Sequence, residues 1–226
     1  MLLNFFLKNR FRFSIIYVSI MARAICNQCH RPVKVCICDF VSPIENRIEI
    51  GIFQHPSEQK QVKGSAILAH LALNKSTLWV GESIEDVPSL KTWIEQGPEV
   101  LLLYPETEAS SKLKNIESKI VDTRDYDSQP FKVLVLDGTW RKTFKMMQLN
   151  PEIKALNRIA IAPTQRSAYK IRKQKNEHAL STVEAIAELL SQLEKRPEIA
   201  ESLQSAFEKM QNQQLAIKHR HQSYER

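Results

Sequence analysis

The sequence predicts an α/β protein with a mostly parallel sheet flanked by helices and a small four-cysteine element near its N-terminal end. Three observations carry this expectation. Short apolar runs recur with helix-length spacers between them, as buried parallel strands and their crossovers require. All four cysteines fall between Cys26 and Cys38. The 226 residues, 43% of them hydrophobic, suffice for one ordinary core with a small appendage.

Residues 1–22 read as an N-terminal extension. They are apolar but interrupted by Lys8, Arg10 and Arg12, and the uncharged run Phe13–Ala22 has about half the length of a membrane span. Basic residues inside the apolar stretch, rather than before it, argue against a cleavable signal. Either Met21 is the true start and the first twenty residues are not part of the native protein, or they form a loosely ordered arm.

Residues 23–45 carry the pattern Cys26-x2-Cys29-x6-Cys36-x-Cys38. Thiolates at this spacing can share one tetrahedral ion if a tight turn at Arg31-Pro32 brings the second pair back to the first. Zinc is the expectation, with an iron–sulfur cluster on the same ligands or two disulfides as the alternatives. A closed four-thiolate site would fold this segment rather than perform chemistry.

Residues 46–226 form the main domain. Arg47–Phe53 alternates and then runs apolar, which suits a strand, and the Ala/Leu-rich segment Lys63–Leu73 suits a helix. Thr77–Val80 reads as a second strand, followed by a helix over Ser89–Gln96. Val100–Tyr104, closed by Pro105, then Lys132–Leu136 and Arg158–Ala162 repeat the buried-strand pattern. Helices are expected over Thr139–Gln148 and Thr182–Glu194. The second opens on Ser181-Thr-Val-Glu184, a capping-box signature, and is expected to end at Pro197. A last helix presents Ile199, Leu203, Phe207 and Met210 on one face.

Sites in such sheets collect at the carboxyl ends of strands, which selects the loops after Tyr104, Leu136 and Ala162. The second begins Asp137-Gly-Thr-Trp140. Its aspartate is a candidate reactive group or else the cap of the next helix, and Trp140 is either a stacking platform or core. The third, over Pro163–Ala179, is long enough to suggest function. Charge converges on the same region. The formal net charge is +7, yet the window Arg141–Glu177 alone holds ten basic and two acidic residues, so the rest of the chain is nearly neutral. One strongly basic segment points to a polyanion. With only 5 glycines and neither a Walker A nor a G-x-G-x-x-G pattern, P-loop and dinucleotide-binding readings are weak, and 4 cysteines are too few for a disulfide scaffold.

Together, Cys26-x2-Cys29-x2-Pro32-x3-Cys36-x-Cys38, His55-Pro56-x-Glu58, Leu102-Leu103-Tyr104-Pro105, Leu136-Asp-Gly-Thr-Trp140-Arg-Lys142, Tyr169-x-Ile-Arg172-Lys173 and Leu180-Ser-Thr-x-Glu184-Ala185 resemble the DTW-domain family, the tRNA-uridine aminocarboxypropyltransferases. The resemblance covers about Cys26 to Leu190. It departs at Lys63-Gly64-Ser65, where the family more often has Asn-Thr-Gly. It implies transfer of the 3-amino-3-carboxypropyl group from S-adenosylmethionine to N3 of a uridine in tRNA, with 5′-methylthioadenosine leaving. It also implies a knotted fold akin to the SPOUT-like RNA methyltransferases, and a cytoplasmic protein with tRNA but neither a membrane nor an obligate protein as partner.

On that reading Asp137, Thr139 and Trp140 form the catalytic turn, with Asp137 taking or orienting the uracil N3 proton. Ser65, Leu103, Tyr104, Pro105, Gly138, Arg172, Ser181 and Thr182 hold S-adenosylmethionine, with Arg172, Ser181 and Thr182 toward its carboxylate. Arg141, Lys142, Arg166, Lys170 and Lys173 hold phosphates, and Tyr169 stacks a base. The target is expected in the variable loop, with the D-loop as the alternative. Two other functions stay open: an RNA methyltransferase using the same donor, and a non-catalytic zinc-containing RNA-binding module.

Overall fold

Five short apolar segments pair side by side, and each neighbouring pair runs parallel. The computed structural model describes residues 24–104, 129–161, 167 and 180–224. Its strands are β1 (Glu49–Gln54), β2 (Ser76–Val80), β3 (Glu99–Leu103), β4 (Phe131–Asp137) and β5 (Arg158–Ile159), in the spatial order β2-β1-β4-β3-β5. The helices are α1 (Pro56–Gln59), α2 (Ala66–Ala72), α3 (Pro88–Glu95), α4 (Trp140–Leu149), α5 (Pro151–Ala155), α6 (Thr182–Glu194) and α7 (Pro197–Tyr224).

Helices cover both faces of the sheet, which is why its central strands are mostly apolar; buried Lys132 in β4 is the exception within a strand, its ammonium donating to the Gln96 carbonyl (2.7 Å). Successive side chains still alternate between two cores. Ile50, Ile52, Leu101, Leu103, Val133 and Val135 pack with α2, α6, α7 and the cysteine segment. Phe53, Val100, Leu102, Tyr104, Leu134 and Leu136 pack with Leu90 of α3, Met146 and Met147 of α4 and Ile153 of α5. Gly51 is required on the second face, because a Cβ there would lie 2.7 Å from the ring of Trp93.

Element types follow the sequence pattern; several boundaries do not. β1 starts at Glu49 rather than Arg47, since the backbone N–H groups of Arg47 and Ile48 both donate to Glu194 Oε1 (2.7 and 3.0 Å). α2 starts at Ala66, because Gln61–Gly64 forms a turn closed by Gly64 N–H to the Gln61 carbonyl (2.8 Å). α6 ends before Lys195, which adopts the left-handed conformation (φ 55°). Pro197 is therefore the first residue of α7, where its missing N–H is harmless, and does not terminate α6. β5 spans two residues, and Ala162 lies outside the described residues. Among the described residues no helix is long and apolar enough to cross a membrane.

The cysteine segment reverses direction one step earlier than expected. Cys26 N–H donates to the Arg31 carbonyl (2.8 Å), His30 N–H donates to the Cys26 carbonyl (3.0 Å), and His30 takes φ 54° to close the turn. A bridge between Ile25 and Pro32 follows, and the segment packs against the core shared with α7.

Candidate functional site

The carboxyl ends of β1 and β4 are neighbours in register, with Gln54 opposite Asp137. This places His55-Pro56 and Gly138-Thr139-Trp140 side by side just beyond the sheet. Asp137 is 7% exposed, and both carboxylate oxygens are engaged: Gln54 Nε2 donates to Oδ2 (2.8 Å) and Thr182 Oγ1 to Oδ1 (2.5 Å). Its carbonyl accepts the His55 N–H (2.9 Å). Asp137 does not cap the following helix; Thr139 occupies that position. A Cβ on Gly138 would stand 3.2 Å from Lys142 Cβ and 3.4 Å from Thr143 Cγ2, so a glycine lets the turn close against α4.

Asp137, Gly138 and Thr139 form one wall of a cleft of about 330 Å³. Glu58, Gln61, Lys63, Gly64 and Ser65 from the α1–α2 connection form a second wall, and Leu180, Ser181 and Thr182 at the start of α6 a third; Lys142 of α4 also lines it. Ser65 Oγ accepts the Val183 N–H (3.4 Å), which fixes the second wall to the third. The Glu184 carboxylate accepts the Ser181 N–H (2.8 Å) and the Ser167 hydroxyl (2.9 Å). Ser181 and Glu184 thus form a capping box, in which the Ser181 oxygen faces the Glu184 N–H; its hydroxyl proton finds no acceptor among the described residues. A donor left unpaired at a cleft wall is a group a ligand can satisfy.

A wider opening of about 680 Å³ adjoins the first across Lys142 and is lined by His55, Ser57, Glu82, Arg141, Phe144, Lys145 and Gln148. His55 Nδ1 accepts the Ser57 N–H (3.2 Å) and meets the Ser57 hydroxyl at 2.9 Å, so its Nε2 carries the proton directed at Glu82 Oε1 (2.5 Å). Lys145 binds the other Glu82 oxygen (2.8 Å); with His55 behind it, this ammonium holds the Glu82 carboxyl below its usual range. Lys142 Nζ pairs with Glu58 Oε1 at 2.6 Å, with side-chain exposures of 29% and 13%.

Trp140 is 52% exposed and therefore not core. Its ring meets Tyr104 edge-on, 5.9 Å between centroids at 87°. Burial pushes the Tyr104 phenol up, against a hydrogen bond with Thr143. Leu103 and Tyr104 lie buried at the end of β3, and neither lines either cleft. Of the sequence-derived residues, Ser65, Asp137, Gly138, Thr139, Lys142, Ser181 and Thr182 converge on the smaller cleft, and Arg141 lies on the larger. Pro105, Arg166, Tyr169, Lys170, Arg172 and Lys173 fall outside the described residues. Sequence reasoning assigned no role to Gln54, His55, Glu58, Glu82 or Lys145. His55 and Glu58 were visible as His55-Pro56-x-Glu58, and Gln54 as a polar end to an apolar strand.

The four cysteine sulfurs all lie within 4.8 Å of one another, with Cys26–Cys38 and Cys29–Cys36 each at 3.7 Å and none in a disulfide. A single tetrahedral ion with metal–sulfur bonds of about 2.3 Å sets its sulfurs about 3.8 Å apart, so the geometry fits one ion. Backbone N–H groups of Cys29 and Gln28 lower the Cys26 thiol to about 6, while burial pushes Cys38 up.

A model of the DTW domain matches residues 23–215. The chain is 33% identical over 184 residues to tRNA-uridine aminocarboxypropyltransferase 2 of Macaca fascicularis, which covers 79% of this chain and 59% of that protein. It is 30% identical over 184 residues to the protein of the same name from Drosophila melanogaster, covering 70% of it, and 32% identical over 185 residues to that of Mus musculus, covering 59%. The chain thus spans less than two thirds of the length of the macaque and mouse relatives. No solved structure matches it.

Proposed function

Since the chain belongs to the DTW-domain family, we propose that it transfers the 3-amino-3-carboxypropyl group of S-adenosylmethionine to N3 of a uridine in tRNA. The observation that carries this reading is the immobilised Asp137 carboxylate, held by Gln54 and Thr182 at the wall of a cleft beyond two adjacent strand ends. The relatives' names support the substrate class.

S-adenosylmethionine supplies a sulfonium with three carbons open to attack, of which Cγ of the amino-acid part must be selected. That selection is a matter of orientation, and fixed geometry is worth several kcal/mol in such reactions. Asp137 takes the N3 proton of the uracil, or orients the imide while the proton leaves. N3 then bonds Cγ as the Cγ–S bond breaks, and the bonding pair stays on sulfur in 5′-methylthioadenosine. Because Gln54 and Thr182 already hold Asp137, little reorganisation accompanies this proton movement. Gly64, Ser65, Gly138, Ser181 and Thr182 would enclose the donor, and Thr139 would shape the turn.

Exposed Trp140, with Tyr169, is a platform on which an unstacked uracil can lie. Arg141 at the larger opening, with Arg166, Lys170 and Lys173, would hold phosphates. Cys26, Cys29, Cys36 and Cys38 would hold a structural zinc ion. The SPOUT-like, knotted chain path, the division at residues 23–45 and 46–226, a cytoplasmic location and a variable-loop target belong to the same proposal.

The test is nucleoside mass spectrometry of tRNA incubated with S-adenosylmethionine and either wild type or Asp137→Ala. Wild type should form the aminocarboxypropyl uridine and release methylthioadenosine, while the variant binds tRNA and forms none. Release of adenosylhomocysteine would instead identify a methyltransferase, and absence of donor binding a non-catalytic RNA-binding module.

A further inference from the structure

One motif of the chain has no part in the chemistry above: His55-Pro56-x-Glu58, whose glutamate sits inside the donor cleft. We propose that Glu58 and Lys142 together recognise the zwitterionic amino-acid head of the donor, Glu58 taking its ammonium and Lys142 its carboxylate. This rests on the functional reading above and names how that site selects its substrate.

The two side chains come from different elements, α1 and α4, and meet at 2.6 Å in the wall of the cleft that holds Asp137. Both are largely withdrawn from water. A lone charge inserted beside such a half-buried pair is disfavoured, because it displaces one partner and leaves it less well compensated. A zwitterion avoids that penalty. Each of its charges replaces a partner of the same sign, so the ammonium takes the place of Lys142 at Glu58 and the carboxylate that of Glu58 at Lys142. The head itself adds no net charge and each of its ions stays paired; the sulfonium brings one further positive charge, and the Asp137 carboxylate lines the same cleft.

A further feature points to the same ligand group. Ser181 lines this cleft, its oxygen turned to the Glu184 N–H and its hydroxyl proton without an acceptor among the described residues, and a carboxylate oxygen is an acceptor that proton can satisfy. Two-point capture of the head also answers the selectivity problem. A donor held at both α-substituents, and at its adenosine, has its sulfonium spanned between two anchors, which restricts the turn that would offer the methyl group and favours presentation of Cγ.

A tether between α1 and α4 with no ligand role is the competing explanation, and titration calorimetry with three probes separates the two. S-adenosylmethionine carries both head charges, decarboxylated S-adenosylmethionine only the ammonium, and 5′-methylthioadenosine neither. Glu58→Gln should weaken S-adenosylmethionine and its decarboxylated form by about tenfold or more and leave methylthioadenosine unchanged. Lys142→Met should weaken S-adenosylmethionine alone by a similar factor. Unchanged methylthioadenosine binding also shows that each variant is folded. Equal losses for all three probes, or no loss for S-adenosylmethionine, would overturn the assignment while leaving the proposed reaction intact. Failure of wild type to bind any of the three would remove both.

Discussion

Thr182→Val tests whether Asp137 acts because it is held in place. The substitution keeps the shape of the side chain and deletes the hydroxyl that donates to Asp137 Oδ1 at 2.5 Å. A hydrogen bond to a charged group contributes about 1.5–3 kcal/mol net. If the bond serves orientation in the transition state, the same energy appears in the barrier, and the single-turnover rate on tRNA falls by about 10- to 150-fold. Donor affinity, read by calorimetry, should change much less, because Thr182 already spends its hydroxyl on Asp137. Gln54 Nε2 holds the other oxygen at 2.8 Å, so Gln54→Leu should act on the same step, and the double variant should lose less than the product of the two. A Thr182→Val protein that melts at lower temperature yet turns over at the wild-type rate would refute the reasoning, since the bond would then serve the fold alone.

Three further outcomes follow from the geometry. Metal analysis by mass spectrometry should find one ion per chain, and chelation should weaken S-adenosylmethionine binding as well as lower the melting temperature. The cysteine segment reaches the cleft through Arg31, whose Nη2 donates to the Gly64 carbonyl (2.9 Å), and structural zinc sites contribute about 10–16 kcal/mol against net domain stabilities of about 5–15 kcal/mol; protein isolated without metal and fully stable would contradict this. Stability should fall on acidification below about pH 6.5. Burial lowers the pKa of His70, so the unfolded chain takes up a proton there that the folded chain refuses; Glu82, held low by Lys145, adds to the same trend as pH falls through its folded-state value. His70→Asn should flatten that acid limb in denaturant titrations, and an unchanged limb would exclude His70 as its source. Finally, Arg141→Gln should reduce the slope of log affinity for tRNA against log salt by about 0.7–0.9, whereas Lys145→Gln, already paired to Glu82, should change it less.

Most of the architecture was legible in the sequence because buried parallel strands carry unbroken apolar runs such as Val100–Leu103 and Val133–Leu136. Val100–Leu103 and Lys132–Leu136 fall within β3 and β4 for that reason. Boundaries failed where a distant partner decides them. Nothing near Arg47 announces that Glu194 will claim its N–H, and nothing near Pro197 announces that Lys195 will turn left-handed. The candidate turn was legible as Asp137-Gly-Thr-Trp140 after a strand, but its supports were not. Gln54 and Thr182 reach Asp137 across 83 and 45 residues of chain, and such contacts exist only once β1 stands beside β4.

The basic segment shows how charge counted along a chain misleads about charge in space. The excess in Arg141–Glu177 includes Lys142 and Lys145, yet their partners Glu58 and Glu82 lie 84 and 63 residues earlier and escape any such window. Among the described residues lining the two clefts, four cations (Lys63, Arg141, Lys142 and Lys145) stand with three carboxylates (Glu58, Glu82 and Asp137), which leaves little net field for a polyanion. That surface is better suited to sorting charges one by one than to holding a backbone of phosphates. On the proposed reading, polyanion binding falls to Arg141 and to the basic residues from Arg166 to Lys175 of the sequence, while Lys142 belongs with Glu58 in the cleft. The two roles separate by salt. Loss of Lys142 should alter donor affinity with little change in the salt dependence of tRNA binding, and loss of Arg141 should do the reverse. A Lys142 variant with a reduced salt slope and unchanged donor affinity would return that lysine to the phosphates.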